Sequence, residues 1–357
     1  MEKNKMIRIK DIAKLSGVSV GTVDRVIHKR GKVSEAARQK VEKVLKEIDY
    51  TPNLLAKTLG SSKVYKIALL VPNPKQDPYW NLSLQGLEAS KVEWRPYHMV
   101  LEPHFFELHD FGSFKSASKK LMDSKPDAVL SAPIFLNEAL EFFKELDELN
   151  IPYVHFNTMI PDVSPLAFIG QDLYQSGRLG ASLINLGTDC NNNTVSILHV
   201  SESIQFSVHF KEKERGFRDY FSSLNNGIVT VSSVIIEGDD MKSFESKLIE
   251  AIKKDKIKGL FIPTSSGAKL TAEILRKNKL SDMCIVGYDL LEENVELLKS
   301  GDINFLINQN PNRQVFRGIH HLANLLLFNK QAPEKELFPL EVITRENVDS
   351  YIKSTIH

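Results

Sequence analysis

Cysteine is scarce. Two residues in 357, Cys190 and Cys284, cannot build a disulfide scaffold. They read as reduced, buried thiols. Long hydrophobic runs are missing too: nothing approaches the roughly 20 apolar residues that span a bilayer. The N-terminus lacks an apolar core of the roughly 7–15 residues that mark a secretory signal, so the chain is expected to work in the cytoplasm. Catalytic signatures are equally absent. There is no G-x-x-x-x-G-K-[ST], no H-E-x-x-H, no C-x-x-C and no G-x-S-x-G. His320-His321 lies in a helical pattern, where adjacent side chains diverge by about 100°. No metal-ligand spacing flanks it, so neither a metal nor another cofactor is expected. What is present is an ordinary folded composition, 42% hydrophobic and 25% charged. That excludes chain-wide disorder, and the length suggests about two or three domains.

Net charge is the other near-absence, +1, and it is a cancellation. Residues 1–63 hold 15 Lys and Arg against 7 Asp and Glu, a balance of +8; the remaining 294 hold 31 against 38, a balance of −7. A small basic module is joined to a large acidic body. Basic modules of this kind often contact nucleic acid. A disordered tail would be polar throughout. Here apolar residues recur at helical spacing: Ile9, Ile12, Ala13 and Leu15, then Val23, Val26 and Ile27, then Val41, Val44, Leu45 and Ile48. The pattern predicts three short amphipathic helices. Gly17-Val18 makes a turn of helix-turn-helix length. Ser19 and Ser34 suit the N-caps of the second and third helices. The second helix, near Val20–Ile27, would expose Val20, Gly21, Thr22, Asp24 and Arg25, with His28 just beyond. Arg25 has the forked donors to grip guanine O6 and N7 in the major groove. Thr22, Lys29, Arg30, Lys32 and Arg38 suit phosphates, which give affinity and register but no sequence information.

This segment resembles the N-terminus of the LacI/GalR family of bacterial transcription repressors. Asp11-Ile12-Ala13, Gly17-Val18-Ser19, Thr22-Val23, Arg25-Val26, Val33-Ser34 and Tyr50-Thr51-Pro52-Asn53 carry the match without a gap. The resemblance implies a DNA-binding domain over residues 1–51, with Ser19, Val20, Gly21, Thr22, Arg25, His28, Lys29 and Arg30 facing DNA. Val20, Gly21 and Arg25 fall on the positions that read bases. Asp24 stands where the family has serine; phosphate repels a carboxylate, so it either accepts from a cytosine N4 or, as suits it better, pairs with Arg25 or Arg30. Residues 52–63 become the hinge. Pro52 suits a helix start and Gly60 its stop. The segment is shorter than the roughly 12–15 residues a stable isolated helix needs. By the resemblance, two hinge helices pair across a dimer axis in the minor groove. Asn53, Ala56 and Leu59 then contact DNA, and Leu59 wedges between base steps.

Beyond residue 64, strand-like runs at 66–71, 128–133, 153–157, 194–200, 231–236, 259–264, 284–289 and 304–309 alternate with amphipathic stretches at 174–187, 211–225, 244–255, 267–278, 292–300 and 312–328. Several strands are solidly apolar, as when both faces are covered. The alternation predicts doubly wound parallel sheets. The resemblance implies an α/β, two-lobed, periplasmic-binding-protein-like body over 64–357. Its N-lobe would be 64–165 with 312–330. Its C-lobe would be 166–308 with 331–357. Crossovers would fall near 163–170, 308–312 and 330–340. Ligands of such sheets lie beyond the carboxyl ends of the strands. There, by the resemblance, Asp77, Tyr79 and Trp80 occupy a sugar-binding turn, Asp289 a carboxylate that accepts from hydroxyls, and Gln309 an amide position. Asp172 and Thr264 lie at other strand ends, and Asp172 serves equally as a helix N-cap. The arginine that the family places before Gly216-Phe217 is here Lys213, with Arg215 nearby. Lysine cannot make the planar bidentate grip. Either Arg215 substitutes, or the ligand differs from a common free sugar, an acidic one included.

These features together describe a dimeric transcriptional regulator, a repressor, that binds a pseudo-palindromic operator. A carbohydrate effector would control it allosterically. An enzyme using Asp77 and Asp289 as paired carboxylates and a solute-binding protein are the alternatives. A fused DNA reader favours a sensor over both. Leu59→Ala should therefore weaken specific operator binding and leave sugar binding intact. Parallel DNA-binding and sugar titrations check this, and loss of sugar binding in that variant would refute the hinge assignment.

Overall fold

The structure is a computed structural model that describes residues 9–27, 31–48, 63–160, 162–188, 194–200, 208–224, 229–236, 240–280 and 282–355. The chain divides into two compact units, Met1–Ser62 and Lys63–His357. The hinge residues Asn53, Ala56 and Leu59, together with His28, Lys29, Arg30 and Cys190, lie outside the described residues. Cys284 is buried.

In the small unit, α1 (Ile9–Ser16), α2 (Val20–Ile27) and α3 (Glu35–Glu47) follow the expected periodicity. Ile12, Ala13, Val23, Val41 and Val44 form its core. Gly17 at φ 64° makes the turn between α1 and α2, a conformation that glycine adopts without a Cβ penalty. Ser19 caps α2 by accepting from Thr22 N at 3.1 Å. Ser34 stands at the N-cap of α3, but its side chain makes no capping bond. Leu15 departs from the expected apolar face and is 61% exposed.

The large unit begins with β1 (Tyr65–Pro72), α4 (Tyr79–Trp94), β2 (Met99–Phe106), α5 (Phe111–Asp123), β3 (Ala128–Ser131), α6 (Leu136–Glu148), β4 (Tyr153–Phe156) and β5 (Ala167–Gly170). There follow α7 (Leu173–Gly187), β6 (Thr194–Val200), α8 (Val208–Ser223), β7 (Thr230–Ile236), α9 (Met241–Asp255), β8 (Ile257–Phe261), α10 (Gly267–Lys277), β9 (Cys284–Tyr288), α11 (Glu292–Ser300) and β10 (Phe305–Asn308). Finally come α12 (Pro311–Phe328), β11 (Lys335–Leu337), β12 (Glu341–Ile343) and α13 (Val348–Thr355). Two six-stranded sheets result, ordered β11-β5-β4-β3-β1-β2 and β12-β10-β9-β8-β6-β7. The first is all parallel. In the second, β12 alone runs antiparallel. Each sheet has an apolar cluster on both faces, which explains the solidly apolar strands. Helix α12 returns to the first sheet, where Val315, Ile319 and Leu322 complete its core.

The chain changes sheets at residues 171–172, 309–310 and 338–340. Two corrections to the expected lobes follow. The sequence pattern places residues 167–170 and 335–337 in the C-lobe, but as β5 and β11 they pair in the first sheet. Their runs are short, and Lys335–Leu337 is too exposed to carry a hydrophobic signal. Strand β2 also escaped the pattern reading. It is an edge strand interrupted by Pro103, a residue that edges tolerate.

Helices α7 and α8 cross at two glycines. A Cβ on Gly177 would lie 1.9 Å from the Lys213 carbonyl oxygen, and one on Gly216 would lie 2.0 Å from that of Tyr174. Only glycine allows this approach, and the approach sets the position of Lys213. Gly177→Ala should push α8 outward and destabilise by about 1–3 kcal/mol. A thermal melt reads this as a loss of roughly 2–4 °C per kcal/mol.

Candidate functional site

The carboxyl ends of β8, β9 and β10 converge on one buried carboxylate. Asp289 follows β9 at φ 62° and is fully buried. Its Oδ1 accepts from Gln309 N at 2.9 Å, and its Oδ2 accepts from Gln309 Nε2 at 2.7 Å. Ser265 Oγ, just past β8, also donates to Oδ2, at 2.5 Å. Lys213, 1% exposed, enters from α8. Its Nζ donates to the Pro263 carbonyl at 3.0 Å and to Gln309 Oε1 at 3.4 Å. It also stands 3.6 Å from the centre of the Tyr288 ring, in cation–π range. Gln309 thus bridges the cation and the anion. Burial pushes the Asp289 carboxyl above its usual range; the Ser265 and Gln309 bonds and the Lys213 charge oppose that rise. Asn294 braces the cluster by donating Nδ2 to the carbonyls of Ser265 (2.7 Å) and Tyr288 (3.1 Å).

The first sheet supplies the other half. Asp77 is half-buried, and burial raises its pKa, while a bond from Tyr79 N at 3.0 Å opposes the rise. Tyr79 opens α4, and its hydroxyl accepts from Asn157 Nδ2 at 2.6 Å. Burial raises the Tyr79 pKa well above its usual value, and the Asp289 and Asp77 carboxylates add to the rise. The Asp289 carboxylate of the second half therefore lies near enough to act on the Tyr79 hydroxyl of the first. Trp80 packs into the first-sheet core, edge-on to Tyr79 (4.9 Å) and Phe156 (6.3 Å). Gln314 joins the halves through bonds: Oε1 accepts from Asn157 N (2.9 Å), and Nε2 donates to the Gln309 carbonyl (2.8 Å).

Two expected ligand residues lie apart from this convergence. Asp172 is exposed and caps α7, accepting from Gln175 N at 2.9 Å. Arg215 is exposed, paired with Glu212 at 2.5 Å and lying 4.4 Å over the Tyr174 ring. Lys213, not Arg215, reaches the cluster. Thr264 is buried beside Ser265, and its Oγ1 accepts from Gly267 N at 3.3 Å. Ser265, Asn157, Gln314 and Tyr288 were not singled out in the sequence. Serine, asparagine and glutamine at element ends match any cap, so only the fold distinguishes them.

Behind Lys213, the next residue on α8 holds a second network. Glu214 Oε2 bonds His199 Nε2 at 3.1 Å, and Glu214 Oε1 accepts from Arg218 Nε (2.8 Å) and Ser233 Oγ (2.9 Å). The His199 bond leads the effects that hold the Glu214 carboxyl at about 2. His321 and Arg317 similarly pair with Glu336 on β11, while His320 faces Glu93 and Trp94 on α4, so the two histidines brace α12 on different sides.

On α2, Val20, Gly21 and Arg25 are exposed, while Thr22 and Asp24 are half-buried. Thr22 Oγ1 lies 2.9 Å from Ser19 Oγ. The positions expected to read bases are therefore open to a partner.

Comparison with known proteins accounts for both units. Residues 67–330 match a family model described as a periplasmic binding protein domain, and residues 8–53 match bacterial regulatory proteins, lacI family. The chain is similar to the sucrose operon repressor of Streptococcus mutans, 23% identical over 96% of this chain and 99% of that one. Among solved structures it is similar to a LacI-type transcriptional regulator from Bacteroides fragilis, with a TM-score of 0.74, 28% identity, and coverage of 81% of this chain and 100% of that one. It also shares the fold of GanP, a glucose-galactose binding protein from Geobacillus stearothermophilus, with a TM-score of 0.70, 21% identity, and coverage of 80% and 99%.

The depressed Glu214 pKa predicts an acid response. Its contribution to stability is complete above the ordinary value of 4.5 and is lost as pH falls toward about 2. Glu214→Gln should flatten the stability profile of the large unit in that window. Denaturant melts at stepped pH check this.

Proposed function

Because this chain belongs to the periplasmic binding protein domain family and carries the DNA-binding domain of lacI-family bacterial regulators, we propose that a sugar bound between its two lobes controls its grip on operator DNA. The observation that carries this reading is the buried Lys213–Gln309–Asp289–Ser265 cluster within electrostatic reach of Tyr79. Carboxylate, amide and ammonium groups at strand ends suit sugar hydroxyls. The proposed ligand set is Asp77, Tyr79, Trp80, Lys213, Thr264, Asp289 and Gln309, with Asp172 and Arg215 outside it. A neutral sugar fits better than an acidic one. Lys213 is balanced by Asp289, Asp77 adds a negative charge, and Arg215 is engaged elsewhere.

The DNA half follows the family arrangement. Two copies place α2 in adjacent half-sites of a pseudo-palindrome, with residues 52–63 of each copy meeting between them. Ligand closure shifts the lobes and alters that pairing, so that two sites are coupled through two global states. The sucrose operon repressor supports the assignment of repressor. The sugar-binding GanP supports the ligand class through its fold.

A thermal-shift panel of neutral monosaccharides and disaccharides, uronic acids and sugar phosphates tests the ligand. A neutral sugar at 100 times its Kd should stabilise the large unit by about 2.7 kcal/mol. It should also change affinity for a duplex selected from a random DNA pool. Stabilisation without any change in DNA affinity would sink the coupling. On the same duplex, Arg25→Ala should cost about 1–3 kcal/mol at one base pair, whereas equal loss on every sequence would make Arg25 a phosphate contact.

A further inference from the structure

Three chain segments connect the two sheets, and one buried side chain holds all three. Gln171 follows β5 on the first crossover and is 4% exposed. Its Nε2 donates to the Asn308 carbonyl, at the start of the second crossover, and to the Pro339 carbonyl, on the third, both at 2.9 Å. An amide nitrogen has two N–H donors, so each is spent on a different crossover. A flipped amide would set Oε1 against two carbonyl oxygens, which fixes the orientation. Oε1 itself is buried without a partner among the described residues.

We propose that Gln171 is a positioning residue that pins the three crossovers into one hinge, so that the lobes turn about them as a unit. Neighbouring bonds support the pin from both sides. Phe338 N donates to the Gly170 carbonyl at 2.7 Å, and Asn308 Nδ2 donates to Glu341 Oε2 at 2.7 Å. The pin also adjoins the ligand cluster, because Asn308 directly precedes Gln309, whose amide and side chain grip Asp289. Movement at Asp289 is thereby passed to the second crossover, and through Gln171 to the first and third. The purpose assigned to the hinge rests on the ligand-responsive reading above; its mechanics do not.

Hydrogen exchange on the full chain tests the pin without sugar or DNA, so its failure is distinct from failure of that reading. Gln171→Met keeps the side-chain length and removes both donors. The amides of Gln309 and Phe338, which bond Asp289 Oδ1 and the Gly170 carbonyl, should exchange about tenfold faster or more. The mid-strand amides of Leu130 and Leu260 should stay within about twofold of their original rates. Unchanged rates at Gln309 and Phe338, or equal acceleration everywhere, would overturn the proposal, the latter because it marks a general loss of stability. Should the methionine variant not fold, Gln171→Asn keeps the amide but shortens its reach by one methylene. It must then show the same local pattern.

Discussion

The charge on Asp289 is the constraint around which the large unit is arranged. A carboxylate removed from water must be paired and hydrogen-bonded, or it costs several kcal/mol. Serine, glutamine and lysine meet that demand from three different elements. Each imposes a further condition. Lys213 needs α8 close to α7, which requires Gly177 and Gly216. Ser265 and Asp289 need the β8 and β9 termini held level, which Asn294 does through their carbonyls. Gln309 needs a second crossover turned so that both its amides face one carboxylate. One buried charge thus specifies the packing of two helices and the ends of three strands.

The first lobe meets this cluster through groups of different character. Tyr79 and Trp80, of the expected sugar-binding turn, are both largely buried at the start of α4. A hydroxyl tied to Asn157, and Gln314 beyond it, carry the contact to Gln309. Under the proposed function, recognition and lobe connection share the same atoms. A ligand that competes for the Asp289 oxygens also competes with the crossover that presents Gln309.

The sequence made the repetition of apolar strands and helices legible, because buried parallel strands leave long apolar runs. It also showed the helix-turn-helix, where Ile12, Val23, Val41 and Val44 obey a simple helical period. It did not reveal β2, β5 or β11. Pro103 breaks one pattern, and the other two are too short or too exposed to register. At the site, Asp289, Gln309 and Lys213 emerged from a resemblance in motif. Ser265, Asn157, Gln314 and Gln171 did not, since nothing local separates a bracing amide or hydroxyl from an ordinary loop residue. Asp172 shows the converse, because a carboxylate after a strand reads the same whether it meets a ligand or caps a helix.

The return of α12 to the first sheet has a consequence for how the chain matures. As the ribosome makes the protein, the strands from β1 to β5 emerge long before α12, which begins at residue 311. Synthesis proceeds at about 5–20 residues per second, so roughly 7–28 seconds separate the two. During that interval the face that receives Val315, Ile319 and Leu322 is uncovered. The first lobe to be made thus stays open until α12 and β11 emerge, and the second completes its sheet only with β12. The second lobe can assemble β6 to β10 without that wait, and a nascent chain stalled between residues 170 and 311 presents an open apolar sheet to chaperones.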